Sequence, residues 1–218
     1  MDNKIQTTSI LITVHDQAQE IRKNLPAYLT QNCESDFEVI VVDEMSTDET
    51  SNVLKQFKEE YPKLHTTFLP ASNKIRECRK YALSIGLKAS DYEWIIISKI
   101  HVNLPSDGIL QHIIEVMNTD ADITLGYFTK KGIKLHPFAD TDNARHHILK
   151  AERELDRIKN RPHHSFVWGR YDFIIVKREH AYDLLNLFQQ KLSFSMLFYT
   201  RLRILFKNMF ASTTSIPL

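Results

Sequence analysis

Residues 8–50 read TSILITVHDQAQEIRKNLPAYLTQNCESDFEVIVVDEMSTDET. Ser9–Val14 is a nearly unbroken apolar, β-branched run, the composition of a strand buried on both faces of a parallel sheet. Polar His15, Asp16 and Gln17 follow at once. Ile21, Leu25, Tyr28 and Leu29 then recur at helical spacing, with Pro26 and the short loop Asn32–Asp36 limiting how regular that helix can be. A second strand, Phe37–Val42, ends in Asp43-Glu44-Met45-Ser46-Thr47-Asp48, where Ser46 or Thr47 is placed to cap a helix carrying Asp48 and Glu49 in its first turn. The segment is thus two strands joined by an amphipathic helix, each strand ending in a polar cluster. In an open α/β sheet those carboxyl ends are where a nucleotide is held.

Downstream the pattern repeats. Thr66–Leu69 reads as a short strand, Ile75–Leu87 as a helix and Glu93–Ser98 as a fourth strand. The chain has 218 residues, 43% of them hydrophobic, which is enough for one well-packed domain, and no linker of biased composition divides it. We therefore expect a single α/β domain over 1–218, with a nucleotide-binding half at 1–104, an acceptor-side half at 105–191 and a C-terminal helix and tail at 192–218.

A formal net charge of +1 gives no overall attraction to nucleic acid, and no DNA- or RNA-binding signature is present. Cys33 and Cys78 are too few for a disulfide framework, which fits a reducing compartment. The amino terminus, MDNKIQ, is polar and unlike a signal peptide, and no apolar stretch reaches the roughly 20 residues of a membrane span. The expected location is the cytoplasm, with the inner face of the membrane as the alternative.

The order of SILITVHDQ, FEVIVVDEMSTDET, SNKIRECRKYAL and EWIIISKIHVNLPSD resembles the inverting nucleotide-sugar glycosyltransferases of family 2, bacterial-type enzymes of the A-type glycosyltransferase fold. VVDEMSTDET is the most specific piece, and the resemblance covers about residues 7–118 well. It implies a Rossmann-like three-layer α/β/α sandwich around a mostly parallel sheet. It also implies donor contacts. Thr13, Val14, His15 and Gln17 would line the nucleotide pocket, Asp43 would bind the base with Glu44 beside it, and Asn73 and Arg79 would lie near the diphosphate. A carboxylate suits an N–H donor on the uracil edge, and a guanidinium fork suits phosphate. Plainer readings stand beside these: an acidic residue after a buried strand often only caps the next helix, as Asp48 is read to do, and a solvated basic face would equally explain Arg76, Arg79 and Lys80.

Two departures from the family pattern matter. The resemblance implies Mn2+ or Mg2+ held by an Asp-x-Asp motif after the fourth strand, yet alignment on Leu104-Pro105 puts Lys99-Ile100-His101 there. Lys99 is then a candidate to stabilise the diphosphate leaving group directly, and His101 a candidate metal ligand. The family spacing to a catalytic carboxylate lands on Met196 and Leu197. Asp172, which follows Trp168-Gly169 and opens the apolar strand Phe173–Val176, is the candidate base to deprotonate the acceptor; Glu179 and Asp183 are read on the outer face of the next helix.

Asp142–Lys159 reads as an exposed helix, and His146-His147 with His163-His164 form a candidate metal set without paired helical spacing. Leu192–Phe210 mixes aromatic and aliphatic residues with Arg201, Arg203 and Lys207, a pattern shared by a packed C-terminal helix and by an interfacial one on an anionic membrane.

The expected function is transfer of a sugar, with inversion, from a nucleoside-diphosphate sugar, most simply UDP-linked, to a glycan or lipid-linked acceptor in polysaccharide synthesis. The alternative is a glycosyltransferase-like binding or assembly module without turnover. A nucleotidyltransferase is disfavoured, since no Gly-rich phosphate loop follows the first strand.

Overall fold

A computed structural model describes residues 6–69, 78–117, 120–129, 132–138 and 171–181, the side chains of 78–80 and 138 excepted. By its contacts the chain divides into units of 1–185 and 186–218, and the second lies wholly outside the described residues. The elements are β1 (Thr8–Val14), α1 (Ala18–Leu29), β2 (Phe37–Asp43), α2 (Thr50–Glu60), β3 (Leu64–Phe68), α3 (Cys78–Ala89), β4 (Trp94–Ser98), α4 (Ile109–Val116), β5 (Ile123–Thr129), β6 (Gly132–Phe138) and β7 (Phe173–Lys177), the last followed by a 3₁₀ turn at Arg178–His180.

These strands form one seven-stranded sheet in the order β3-β2-β1-β4-β7-β5-β6. β3, β2, β1 and β4 pair in parallel, as the apolar runs joined by helices require. The mostly parallel expectation fails beyond β4. β7 inserts antiparallel between β4 and β5, and β5 and β6 form an antiparallel hairpin, so half of the pairings are antiparallel. The cause is local: β5 and β6 lie too close in sequence for the crossover that a parallel pair needs.

Alternation along the strands sorts the core into two faces. Ile10, Ile12 and Val14 of β1, with Val39 and Val41 of β2, pack against Ile21, Leu25 and Leu29 of α1, Val53 and Leu54 of α2, and Leu110 and Ile113 of α4. Each fully buried Leu or Ile contributes about 1.5–3 kcal/mol relative to exposure. On the other face α3 approaches so closely that a Cβ on Gly86 would run into the Leu11 side chain. Helices therefore cover both faces, giving the three layers expected.

α1 corrects the reading of Pro26 as a disruption, because the helix runs continuously through it to Leu29. The apolar stripe anchors it, and Thr30 closes the last turn by donating from both its N–H (3.0 Å) and its hydroxyl (2.9 Å) to the Pro26 carbonyl. At the amino edge of the sheet, Glu38 fastens three segments together. Its Oε1 accepts from the Ser9 hydroxyl (2.6 Å) and the Asp91 N–H (2.9 Å), while the Tyr92 N–H donates to Ser9 Oγ (3.3 Å). Among the described residues no helix is long and apolar enough to cross a membrane.

Candidate functional site

β1 and β2 end level with each other, Val14 opposite Asp43, and the loops that follow are tied together. The Glu44 N–H donates to the Val14 carbonyl (2.7 Å), and His15 Nδ1 lies 2.8 Å from the Glu44 carbonyl, where a protonated Nδ1 donates. Asp16 and Met45 both take left-handed backbone conformations, at φ 50° and 61°. Such residues are costly unless their surroundings hold them. Here the Asp16 N–H donates to Ser46 Oγ (2.9 Å), and Asp16 Oδ1 accepts from the N–H groups of Thr47 (2.6 Å) and Asp48 (3.3 Å). In return Asp48 Oδ2 accepts from the Ala18 N–H at the start of α1 (3.1 Å), and the Gln17 N–H donates to Thr50 Oγ1 (3.0 Å).

These bonds set the charge states of the two carboxylates. The Thr47 N–H holds Asp16 below the usual carboxylate range. Burial pushes Asp48 up, but the hydrogen bonds from Thr50 and Ala18 outweigh it and the net displacement is downward. Asp48 and Glu49 precede α2 rather than occupying its first turn, and Asp48 serves the amino ends of two helices at once: its Oδ1 also accepts the Thr50 N–H (2.9 Å). Ser46 and Thr47 do not cap α2, which begins only at Thr50; both bond to Asp16 instead.

Asp43 is 4% exposed and turned into its own loop. One carboxylate oxygen accepts the Ser46 N–H (2.9 Å) and the other the Ser51 hydroxyl (2.7 Å). Glu44 is buried as well, while Thr13 and Gln17 are partly exposed, Val14 is buried and His15 is exposed. All six lie at the carboxyl edge of β1 and β2.

The same edge receives two further candidates from distant parts of the sequence. β4 runs parallel to β1 and β7 antiparallel to β4, with Ser98 opposite Phe173, so the end of β4 meets the start of β7. Lys99 follows directly on Ser98, and its ammonium donates to the Tyr171 carbonyl. Asp172 stands beside that carbonyl: its N–H donates to the Gly126 carbonyl (3.0 Å) and its Oδ2 accepts the Phe128 N–H (2.7 Å), which fixes the carboxyl group against the end of β5. Gly126 is needed there, since a Cβ would collide with the Phe173 ring.

Residues 99–102 form a tight turn closed by the Val102 N–H on the Lys99 carbonyl (2.9 Å). Ile100 is 1% exposed and plugs the core, while His101 faces out. Hard divalent cations take oxygen ligands, about six or more of them. An ammonium, an apolar side chain and one imidazole do not supply that set, and among the described residues no group of three His, Cys, Asp or Glu side chains is placed to hold an ion. The turn does not fit the divalent cation that the resemblance implies.

Arg79 falls in the first turn of α3, at a position whose side chain is not described, and Asn73 lies outside the described residues. So do His146, His147, His163, His164, Asp183, Met196, Leu197 and the segments 142–159 and 192–210. Glu179 is exposed in the 3₁₀ turn after β7, at the opposite edge of the sheet from Asp172.

Three residues at the site carry no expectation from sequence beyond core or surface. Tyr28 is 2% exposed, and its hydroxyl lies within hydrogen-bond reach of Ser98 Oγ (3.0 Å), the Lys99 carbonyl (3.1 Å) and the Val102 carbonyl (3.2 Å). Burial pushes its pKa up to about 12 against the opposing hydrogen bond to Ser98, with a lesser upward push from the Asp172 charge, so it stays a neutral donor. Asn24 donates to the Ile100 carbonyl (2.8 Å). The Gln31 amide donates to the Ser106 carbonyl (3.1 Å), and its oxygen accepts the Leu110 N–H at the start of α4 (2.9 Å). Polar groups at positions 24 and 28, one helical turn apart, with Gln31 just beyond the end of α1, are the signal that would have found them.

The mannosyltransferase PcManGT from Pyrobaculum calidifontis, solved in complex with GDP-Man and Mn2+, is similar to this chain at a TM-score of 0.55 and 14% identity, over 84% of this chain and 47% of that one. The chain thus spans about half of the mannosyltransferase, and the likeness concerns the fold. S. aureus TarS 1-349 in complex with UDP-GlcNAc matches at 20% identity and a TM-score of 0.46, over 56% of this chain and 34% of that one, too remote to carry an argument. No curated protein matches the sequence. The family profile, however, matches residues 9–200, most of the chain, and its description is Glycosyl transferase family 2. With its seven-stranded sheet, its three layers and that match, the chain belongs to glycosyl transferase family 2.

Proposed function

We propose that this protein transfers a sugar from a nucleoside-diphosphate donor to a glycan or lipid-linked acceptor by direct displacement with inversion. One observation carries the reading. Lys99 and Asp172, far apart in sequence, are brought side by side at the sheet edge that also bears His15, Asp43 and Glu44. The loops after β1 and β2 hold the nucleotide, with Asp43 and Glu44 on the base side. The family resemblance assigns Asn73 and Arg79 to the diphosphate. A uridine nucleotide suits this side, since each Asp43 oxygen that holds Ser46 or Ser51 keeps a second lone pair for the ring N–H.

Lys99 places a positive charge where the departing diphosphate gains negative charge, an electrostatic role that needs no proton transfer. Asp172 removes the acceptor hydroxyl proton as the anomeric carbon is attacked. The bond from the Phe128 N–H to Asp172 Oδ2 favours a second reading, in which Asp172 only terminates a strand and the domain binds nucleotide without turnover.

Titration calorimetry with UDP, GDP and their sugar conjugates, in EDTA and in Mn2+, tests both. The expected result is nucleotide binding that is insensitive to Mn2+ and weakened by Lys99→Ala. Failure to bind any nucleotide overturns the donor site; binding without transfer to any glycan acceptor establishes the second reading.

A further inference from the structure

The turn bearing Lys99 is held from one side by α1. Of the backbone carbonyls of residues 99–102, α1 side chains engage three: Tyr28 OH reaches that of Lys99 (3.1 Å), which also accepts the Val102 N–H, and that of Val102 (3.2 Å), and Asn24 donates to that of Ile100 (2.8 Å). A neutral phenol carries one hydrogen, and the two carbonyls and Ser98 Oγ, 3.0 Å away, all lie within its reach. Ser98 Oγ in turn lies 3.3 Å from the Asp172 carbonyl, which carries the network to the start of β7. The contacts of Tyr28 with Val102 and Ser98 and of Asn24 with Ile100 are buried, where a hydrogen bond is strong and the loss of a donor is costly. They fix the backbone from which the Lys99 side chain springs, and they do so from a helix whose own first residue follows the His15–Gln17 loop.

We propose that Asn24 and Tyr28 are positioning residues for the diphosphate: by locking the 99–102 turn to α1 they hold the Lys99 ammonium in register with the loop that grips the nucleoside. The inference rests on the reading that Lys99 meets the donor diphosphate. It adds that the grip on the diphosphate depends on a phenol and an amide which touch no ligand themselves. Neither residue is a catalytic residue. A phosphate misplaced by a loosened turn loses a charge-assisted bond, whereas a nucleoside held by the β1 and β2 loops does not.

The test compares nucleotide pairs on the whole chain. Whichever of UDP and GDP binds more tightly is paired with its own monophosphate, and the ratio of their affinities is measured calorimetrically for the parent, Tyr28→Phe, Asn24→Ala and Lys99→Ala. Tyr28→Phe and Asn24→Ala are expected to lower the diphosphate-to-monophosphate ratio about tenfold, the effect of roughly one lost charge-assisted bond, and to leave monophosphate affinity unchanged. A merely structural role would weaken both nucleotides together or neither. If Lys99→Ala lowers the ratio and both α1 variants keep the parent value, the positioning role is overturned while the Lys99 reading stands. If Lys99→Ala leaves the ratio unchanged, or no nucleotide binds the parent, the Lys99 reading falls and the positioning role with it. Should Tyr28→Phe not fold, Asn24→Ala alone decides between these outcomes.

Discussion

Asp16 and Asp48 cap each other's loops: Asp16 Oδ1 takes the backbone N–H of Asp48 at 3.3 Å, and Asp48 Oδ2 takes the Ala18 N–H two residues beyond Asp16 at 3.1 Å. Each carboxylate therefore stabilises the helix start that the other's loop leads into, and the two loops stand or fall together.

This pair makes the protein acid-sensitive in a defined direction. Both carboxyl groups are displaced below their ordinary value of 3.8 in the folded protein. A depressed carboxylate contributes stability that is present above the unfolded value and is lost as pH falls through the folded one, so the loss occurs on the acid side of the ordinary value of 3.8. Asp16→Asn and Asp48→Asn are expected to lower the melting temperature at pH 7 and to flatten its decline across that acid window. Melting curves by circular dichroism at a series of pH values check this.

Gly126→Ala is expected to destabilise the protein by about 1–3 kcal/mol, the usual cost of overpacking a filled core. The added methyl meets the Phe173 ring, which is 3% exposed and tilted against Phe128 at a centroid distance of 5.3 Å, so the ring has little room to withdraw. Urea denaturation with an unchanged m-value would check the magnitude.

Glu38→Ala serves as a control at the far edge of the sheet. It strips the Ser9 hydroxyl and the Asp91 N–H of their acceptor, at an expected cost of about 1–3 kcal/mol. Nucleotide affinity at a temperature well below melting should stay that of the parent, since the carboxyl edge is untouched.

Asp172→Asn should keep the fold, because an amide oxygen still accepts the Phe128 N–H. Sugar transfer is expected to fall by about 10²-fold or more, the contribution typical of general-base catalysis, with donor affinity unchanged. Product formation under saturating donor, set beside calorimetry on the same preparation, reads both quantities.

The first half of the fold was legible because its physics is local. A strand buried on both faces must be apolar throughout, and SILITV and FEVIVV declare themselves, as the amphipathic spacing of Ile21, Leu25 and Leu29 declares α1. The β5–β6 hairpin was not legible: β6, GIKLHPF, is half-buried or exposed at every position from 132 to 137, includes a proline and lacks an apolar run. At the site, Lys99 and Asp172 were singled out from resemblance, but nothing in their spacing says that they meet; the β4–β7 register does that. Tyr28 shows the opposite blindness. Periodicity marks it as core and is right about the ring, yet it is silent about where a buried hydroxyl finds its partners. Asp16 escaped because the groups it caps lie about thirty residues away.

The insertion of β7 between β4 and β5 has a consequence for biogenesis. Ser98 and the Asp172 carbonyl it faces are 74 residues apart, so during translation the flank of Trp94–Ser98 away from β1 has no neighbour until that much more polypeptide has left the ribosome. At about 5–20 residues per second that is a lag of roughly 4–15 s in which an apolar sheet margin stands open. Synthesis of the nascent chain thus passes through an interval of aggregation hazard, ended only when the late strand slots into the gap.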